Sequence, residues 1–411
     1  MHTTRRVVMC GWYRVFLATV TGSRYGPQRR GRVGTRLSKG CAVGSATNRM
    51  LNGNALKLGI FSPNCSGGMA VTTVPERWDA SWDNNAELAR MADAAGIEFL
   101  LPIARWRGYG GETNFQGTNL ETVTWATAML AVTDGITVFC TAHTSFHHPI
   151  VMAKMMATAD QVSHGRLGLN VVCGWNQPEY HMFGRDLPDS HDERYAYGQE
   201  WLDVVRRIWT AEDEFDWHGR FFRLNRVVGE PKPFGGIIPP IMNAGASPQG
   251  QAFAARNCDN LFTTMIEPEQ SAPAVADVKA AARAGGNPMG VMTNCYVVCR
   301  PTQSEAEEYH HYYAIEHQDV DAVDRLMELQ GLHAQSFPPE AFALFRERFA
   351  AGHGVYPLVG TPDHIAAELE RISRAGFDGT TVTFVNYTAE LPYFADEVLP
   401  RLEAKGLRQP V

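Results

Sequence analysis

A single carboxamide, Asn170, lies in an apolar run from Leu167 to Cys173 that reads as a buried β-strand and breaks at Gly174-Trp175. A buried amide left unpaired costs about 1–3 kcal/mol, so Asn170 either bonds to a neighbouring strand or faces a ligand. The residues that follow favour the ligand: a glycine, the large aromatic Trp175 and the polar pair Glu179-Tyr180 have the composition of a site-forming loop. Comparable groups close other predicted strands, namely Ala104-Arg105, Thr141, and Asn243 with Gly245-Ala-Ser247. The turn Gly245-Ala-Ser-Pro-Gln-Gly250 opens into a helix, whose first N–H groups and positive dipole end can take a phosphate. Arg194-Tyr195, near the start of another helix, offers a cation and a hydroxyl to the same group, although a solvated helix start would need no ligand.

The elements that must position these residues alternate. Strands are predicted at Leu56–Phe61, Ile97–Ile103, Ile136–Thr141, Leu167–Cys173, Pro240–Asn243, Asn260–Thr263, Val291–Cys299 and Thr380–Val385. Helix-length amphipathic segments separate most of them, as from Asn84, where Leu88, Met91, Ala92 and Ala95 share one face before Gly96. Eight strands in this alternation predict a closed (β/α)8 TIM barrel, an α/β fold, in which chemistry gathers at the carboxyl ends of the strands. Ala104-Arg105, Thr141, Asn170 with Trp175, Asn243 and Gly245-Ala-Ser247 all fall on that rim. A small hairpin turning at Gly219 is expected after the fourth strand, and a charge-rich helical insertion at about 302–355 between the seventh and eighth.

Composition narrows the function. The first 50 residues hold nine Arg, one Lys and no acid, so the remainder carries 27 basic against 44 acidic residues, a net of −17. So acidic a body argues against nucleic acid as a partner. No apolar run reaches about 18 residues, so no membrane span is predicted. The eight cysteines form no Cys-x-x-Cys pair, as expected of reduced thiols in a cytoplasmic protein. His143, His147 and His148 cluster after the third strand without an acidic or cysteine ligand at metal-like spacing, and no metal is expected. Residues 1–50 are expected to lie outside the fold, as a targeting segment or, preferably, as translated upstream sequence before a start at Met50; residues 51–411 are expected to form one domain.

Several segments resemble the bacterial luciferase-like flavin monooxygenases: Arg107-Gly-Tyr-Gly-Gly-Glu-Thr113, Asn119-Leu-Glu-Thr122, His164 through Trp175, Pro178-Glu-Tyr180, Arg194-Tyr195 and Ala244-Gly-Ala-Ser247. The pyrimidine monooxygenase branch is the most similar. The resemblance implies a (β/α)8 barrel that uses reduced FMN (FMNH2) and O2, with a separate NAD(P)H flavin reductase as partner. It implies that Ala104 and Arg105 flank the isoalloxazine, that Asn170 and Glu179 contact the flavin, and that Arg194, Tyr195 and Ser247 hold its phosphate end. Thr141, Asn170 and Trp175 match the pocket where the pyrimidine enzymes place O2. The pair at 104–105 is aliphatic–Lys in those enzymes, however, and Arg105 is similar to the dimethyl-sulfone monooxygenases. Pro63-Asn64, Ser66-Gly67-Gly68 and His191-Asp-Glu-Arg-Tyr195 also resemble that branch.

The implied activity is oxygenation of a small molecule through a flavin peroxide, with ring cleavage of a pyrimidine such as uracil as the first expectation. C–S cleavage of dimethyl sulfone or an alkanesulfonate, and a deazaflavin-dependent reductase on the same fold, are the alternatives; a barrel that binds flavin without turnover is a third. Thr141 and Asn170 are expected to position oxygen atoms while Trp175 shapes a dry wall. The loop from Arg105 to Asn119 is expected to choose the substrate, and the protein is expected to be a homo-oligomer.

Overall fold

The computed structural model describes residues 48–332 and 339–410, so the expectations for residues 1–47 lie outside the described chain. The order of elements is β1 Lys57–Phe61, α1 Trp82–Ala94, β2 Phe99–Leu101, α2 Thr122–Ala131, β3 Thr137–His143, α3 Pro149–Ser163, β4 Leu167–Val172, α4 Gln177–Met182 and α5 His191–Thr210. The hairpin β5 Phe215–His218 and β6 Arg223–Val227 follows, then β7 Ile241–Asn243, α6 Pro248–Asn257, β8 Asn260–Phe262, α7 Pro268–Ala284 and β9 Gly290–Cys299. The chain ends with α8 Gln303–His311, α9 Val320–Leu329, α10 Pro339–Gly352, β10 Tyr356–Gly360, α11 Pro362–Arg374, β11 Gly379–Thr383 and α12 Tyr387–Ala404.

Eight parallel strands close on themselves in the order β1, β2, β3, β4, β7, β8, β9, β11, with β11 returning to β1. This is the (β/α)8 barrel that the alternation predicts. Inside it, strand residues alternate between helices and lumen. Phe99, Leu101, Phe139, Met242, Phe262 and Met292 form one interior cluster, with Phe99 and Phe139 edge to face at 5.7 Å. Gly168 lets the Phe139 ring lie across β4, since a Cβ there would fall 2.5 Å from its Cδ1. Overpacking a filled core destabilises by about 1–3 kcal/mol, and that loss is expected for Gly168→Ala by urea unfolding. No measurable change would mean that Phe139 can turn aside.

Asn48, Arg49 and Met50 pack against the amino end of the barrel. Asn48 accepts a hydrogen bond from Thr137 Oγ1 at 2.7 Å and donates to the Gly165 carbonyl at 3.2 Å. Arg49 pairs with Asp93 at 3.0 Å, and Met50 joins the interior cluster.

The insertion is built of α8, α9 and α10 as expected, and directly after it comes an element that the sequence reading did not assign: β10, a parallel strand running from Tyr356 beside Cys295 to Gly360 beside Cys299. β9 is long enough to carry β8 along Gly290–Met292 and β10 further up the same edge, while β11 takes the other edge. The insertion is also tied to the β2–α2 loop. The buried carboxylate of Asp319, which caps α9, accepts from Glu112 N at 3.2 Å, Thr113 N at 2.8 Å and Thr113 Oγ1 at 2.7 Å.

Candidate active site

Phe139 and Gly168 face the lumen, so two residues further along each strand Thr141 and Asn170 must do so as well. Asn170 Nδ2 donates to Thr141 Oγ1 at 3.2 Å, and that hydroxyl donates its own proton to the Pro102 carbonyl at 2.6 Å. The threonine proton is thereby committed, and Thr141 acts by orienting the amide. Asn170 Oδ1 is buried and has no partner in the protein. Both residues line a cavity of about 160 Å³ at the carboxyl end of the barrel, together with Ala104, Arg105 and Trp175.

Arg105 supplies the charge at this site and is cancelled on the spot. Its Nη1 lies 3.1 Å from Glu179 Oε1, with the two side chains only 3% and 1% exposed. Glu179 is carried by α4, a short helix that the sequence pattern does not announce. The same oxygen accepts from Trp106 N at 2.9 Å, Arg105 Nε donates to Gln116 Oε1 at 3.3 Å, and Gln116 Nε2 donates to the Gly68 carbonyl at 2.8 Å. The guanidinium also lies over two rings, 4.8 Å from the centre of Tyr109 and 5.3 Å from that of Trp175. Charge, aromatic walls and loop backbone are thus built as one rigid unit.

The third group forms at the mouth of β7. Ser247 caps α6, its Oγ accepting from Gly250 N at 3.1 Å. Gly245 and Gly250 let the Tyr195 hydroxyl lie close against this turn: a Cβ on either would fall 2.8 Å or 2.5 Å from it. Burial raises the pKa of that hydroxyl, so it stays protonated and able to donate. Arg194 is buried beside it, donating through Nη1 to the Gly174 carbonyl at 3.2 Å while Nε has no partner. A helix start, a protonated phenol, two bare α-carbons and a half-satisfied guanidinium together suit a phosphate. The residues named from sequence therefore assemble as two clusters: Ala104, Arg105, Thr141, Asn170, Trp175 and Glu179 around the cavity, and Arg194, Tyr195 and Ser247 at the mouth of β7.

The three clustered histidines separate. His143 points into the cavity, His147 bonds back to the His143 carbonyl at 3.2 Å, and His148 caps α3. Two cavity residues, Asn294 on β9 and His353 after α10, escaped the sequence reading. Asn294 carries the same signal as Asn170, a lone carboxamide in an apolar strand, and could have been found by it. His353 reaches the site only through the fold of the insertion. Burial first, and then the Arg105 charge, hold His143 and His353 neutral, each with its pKa pulled down to about 3.

Comparison with known proteins agrees with this architecture. Residues 56–379 match the family model described as luciferase-like monooxygenase. The chain is similar to the FMNH2-dependent dimethylsulfone monooxygenase of Pseudomonas fluorescens (strain Pf0-1), 32% identical over 86% of this chain and 96% of that protein. It is also similar to the pyrimidine monooxygenase RutA of Serratia proteamaculans (strain 568), 28% identical over 85% of this chain and 96% of that protein. Among solved structures, DmoA from Hyphomicrobium sulfonivorans superposes with a TM-score of 0.76 at 21% identity, covering 86% of this chain and 89% of the other, and so supports the fold.

Proposed function

Because the chain belongs to the luciferase-like monooxygenase family, we propose that it is an FMNH2-dependent monooxygenase, fed by a separate NAD(P)H flavin reductase, that oxygenates a small molecule. The observation that carries this reading is the Asn170–Thr141 pair, a fixed amide with an unpartnered oxygen inside the same cavity that Arg105 and Trp175 wall. Reduced FMN, when bound, would supply the electrons that activate O2.

In this reading Ser247, Tyr195 and Arg194 hold the phosphate, while Ala104 and Arg105 border the ring system. Asn170 offers Oδ1 to an N–H of the ring system and keeps one Nδ2 hydrogen for an oxygen atom; Thr141 fixes its orientation. Trp175 and the aromatic stack around Arg105 exclude water, which would otherwise compete for those hydrogen bonds. Two substrates fit the family. Identity to the dimethylsulfone enzymes and the presence of Arg105 support a sulfone, whereas the motifs of the β2–α2 loop support a pyrimidine such as uracil.

Two measurements test the reading. The purified protein, supplied with FMNH2 by a generic flavin reductase, should consume O2 and convert dimethyl sulfone or uracil; turnover only with a reduced deazaflavin would overturn it. Tyr195→Phe should weaken FMN binding by about 10- to 100-fold, the worth of one hydrogen bond to a charged group, and leave riboflavin affinity unchanged. Equal losses for both ligands would remove Tyr195 from the phosphate site.

A further inference from the structure

Asn294 and His353 approach the cavity together. Met292 belongs to the interior cluster, so alternation turns Asn294 inward as well, where it is 4% exposed and its Oδ1 has no partner. β10 begins beside Cys295, the next residue of β9, and His353 lies three residues before that start. Both residues line the cavity, and His353 Nε2 is buried without a partner.

The backbone at His353 is unusual for its residue type. Its φ of +59° is left-handed, in the position after a helix where glycine is the ordinary choice, and Gly352 and Gly354 flank it. A histidine kept in such a conformation points to a use for its side chain. The ring is held by Tyr109, Phe349 and Phe115, with centroids at 6.0, 6.2 and 6.3 Å. Tyr109 in turn stacks under Arg105.

The electrostatics of the cavity set the class of ligand. Among the described residues that line it, Arg105 is the only Lys or Arg, and Glu179 neutralises it at 3.1 Å. An anion entering this space would be buried without a counter-charge, whereas an uncharged polar group would find bare hydrogen-bonding atoms. We infer that Asn294 and His353 form the specificity-determining pair of the site, admitting a small uncharged molecule with hydrogen-bonding groups and excluding anions. This rests on the monooxygenase reading for the location of the substrate, and it separates a sulfone or a pyrimidine from an alkanesulfonate.

The test is binding without turnover. Under anaerobic conditions the protein loaded with FMNH2 is titrated with dimethyl sulfone, uracil and methanesulfonate, the last differing from the sulfone by one methyl replaced with a charged oxygen. At least one neutral probe should bind tenfold or more tightly than methanesulfonate. Asn294→Leu and His353→Phe should each weaken that probe at least tenfold while FMN affinity, which also reports an intact fold, stays the same. His353→Arg should reverse the ranking by adding an unpaired cation. Methanesulfonate binding as well as the neutral probes, binding of none of them, or variants that bind as the parent does would overturn the inference, and the parent ranking decides even if a variant fails to fold. Neutral probes that bind as expected but are never oxygenated would instead remove the monooxygenase reading and leave the selectivity in place.

Discussion

Arg105→Ala is expected to lower folding stability by about 3–5 kcal/mol, because it leaves the Glu179 carboxylate buried without its counter-charge. Two charges sharing so dry an environment stabilise little as a pair, yet breaking the pair exposes the full desolvation penalty of the survivor. The double variant Arg105→Met with Glu179→Leu should therefore recover most of the stability lost by the single one. Neither should retain the parent's flavin affinity, since both remove the planar cation between Tyr109 and Trp175. Urea unfolding and FMNH2 titration measure the two effects separately. A single-variant loss below about 1 kcal/mol, the range of exposed ion pairs, would mean that water reaches Glu179 in solution.

Asn170→Ala has the largest expected effect on chemistry. Removing one preorganised hydrogen-bonding group at a reacting oxygen costs about 10²–10³-fold in rate, so product formed per O2 consumed should fall by that order. The missing oxygen equivalents should appear as hydrogen peroxide. The strand itself should survive, because Asn170 makes one side-chain hydrogen bond, to Thr141. Thr141→Val should give a milder form of the same uncoupling, as the amide loses its guide but not its presence. If Asn170→Ala oxygenated substrate at the parent rate, the amide would have no part in the reaction.

Most of the barrel was legible because parallel strands buried on both faces read as near-continuous apolar runs, and their rim residues follow at short, regular distances. All eight barrel strands start within two residues of their predicted positions, and Asn170 declared itself by being polar where its neighbours are not. What stayed hidden depends on pairing across long stretches of chain. β10 is five residues with a proline in second place after a charged helical segment, and only the upper half of β9 makes it a strand. α4 has six residues, too few for a periodic face, so the Glu179 partner of Arg105, 74 residues away, could not be read locally. His353 has no sequence pattern at all, only a place in space.

Asp319 has a consequence for how such a barrel changes its substrate range. By holding Glu112 and Thr113 of one loop while capping the first turn of α9 in another, it makes the β2–α2 loop and the insertion a single latched piece. Chimaeras that import one of them from a relative would carry half of the latch, and both walls of the cavity would lose their alignment. The exchangeable module is therefore the pair of segments with its carboxylate bolt, moved together.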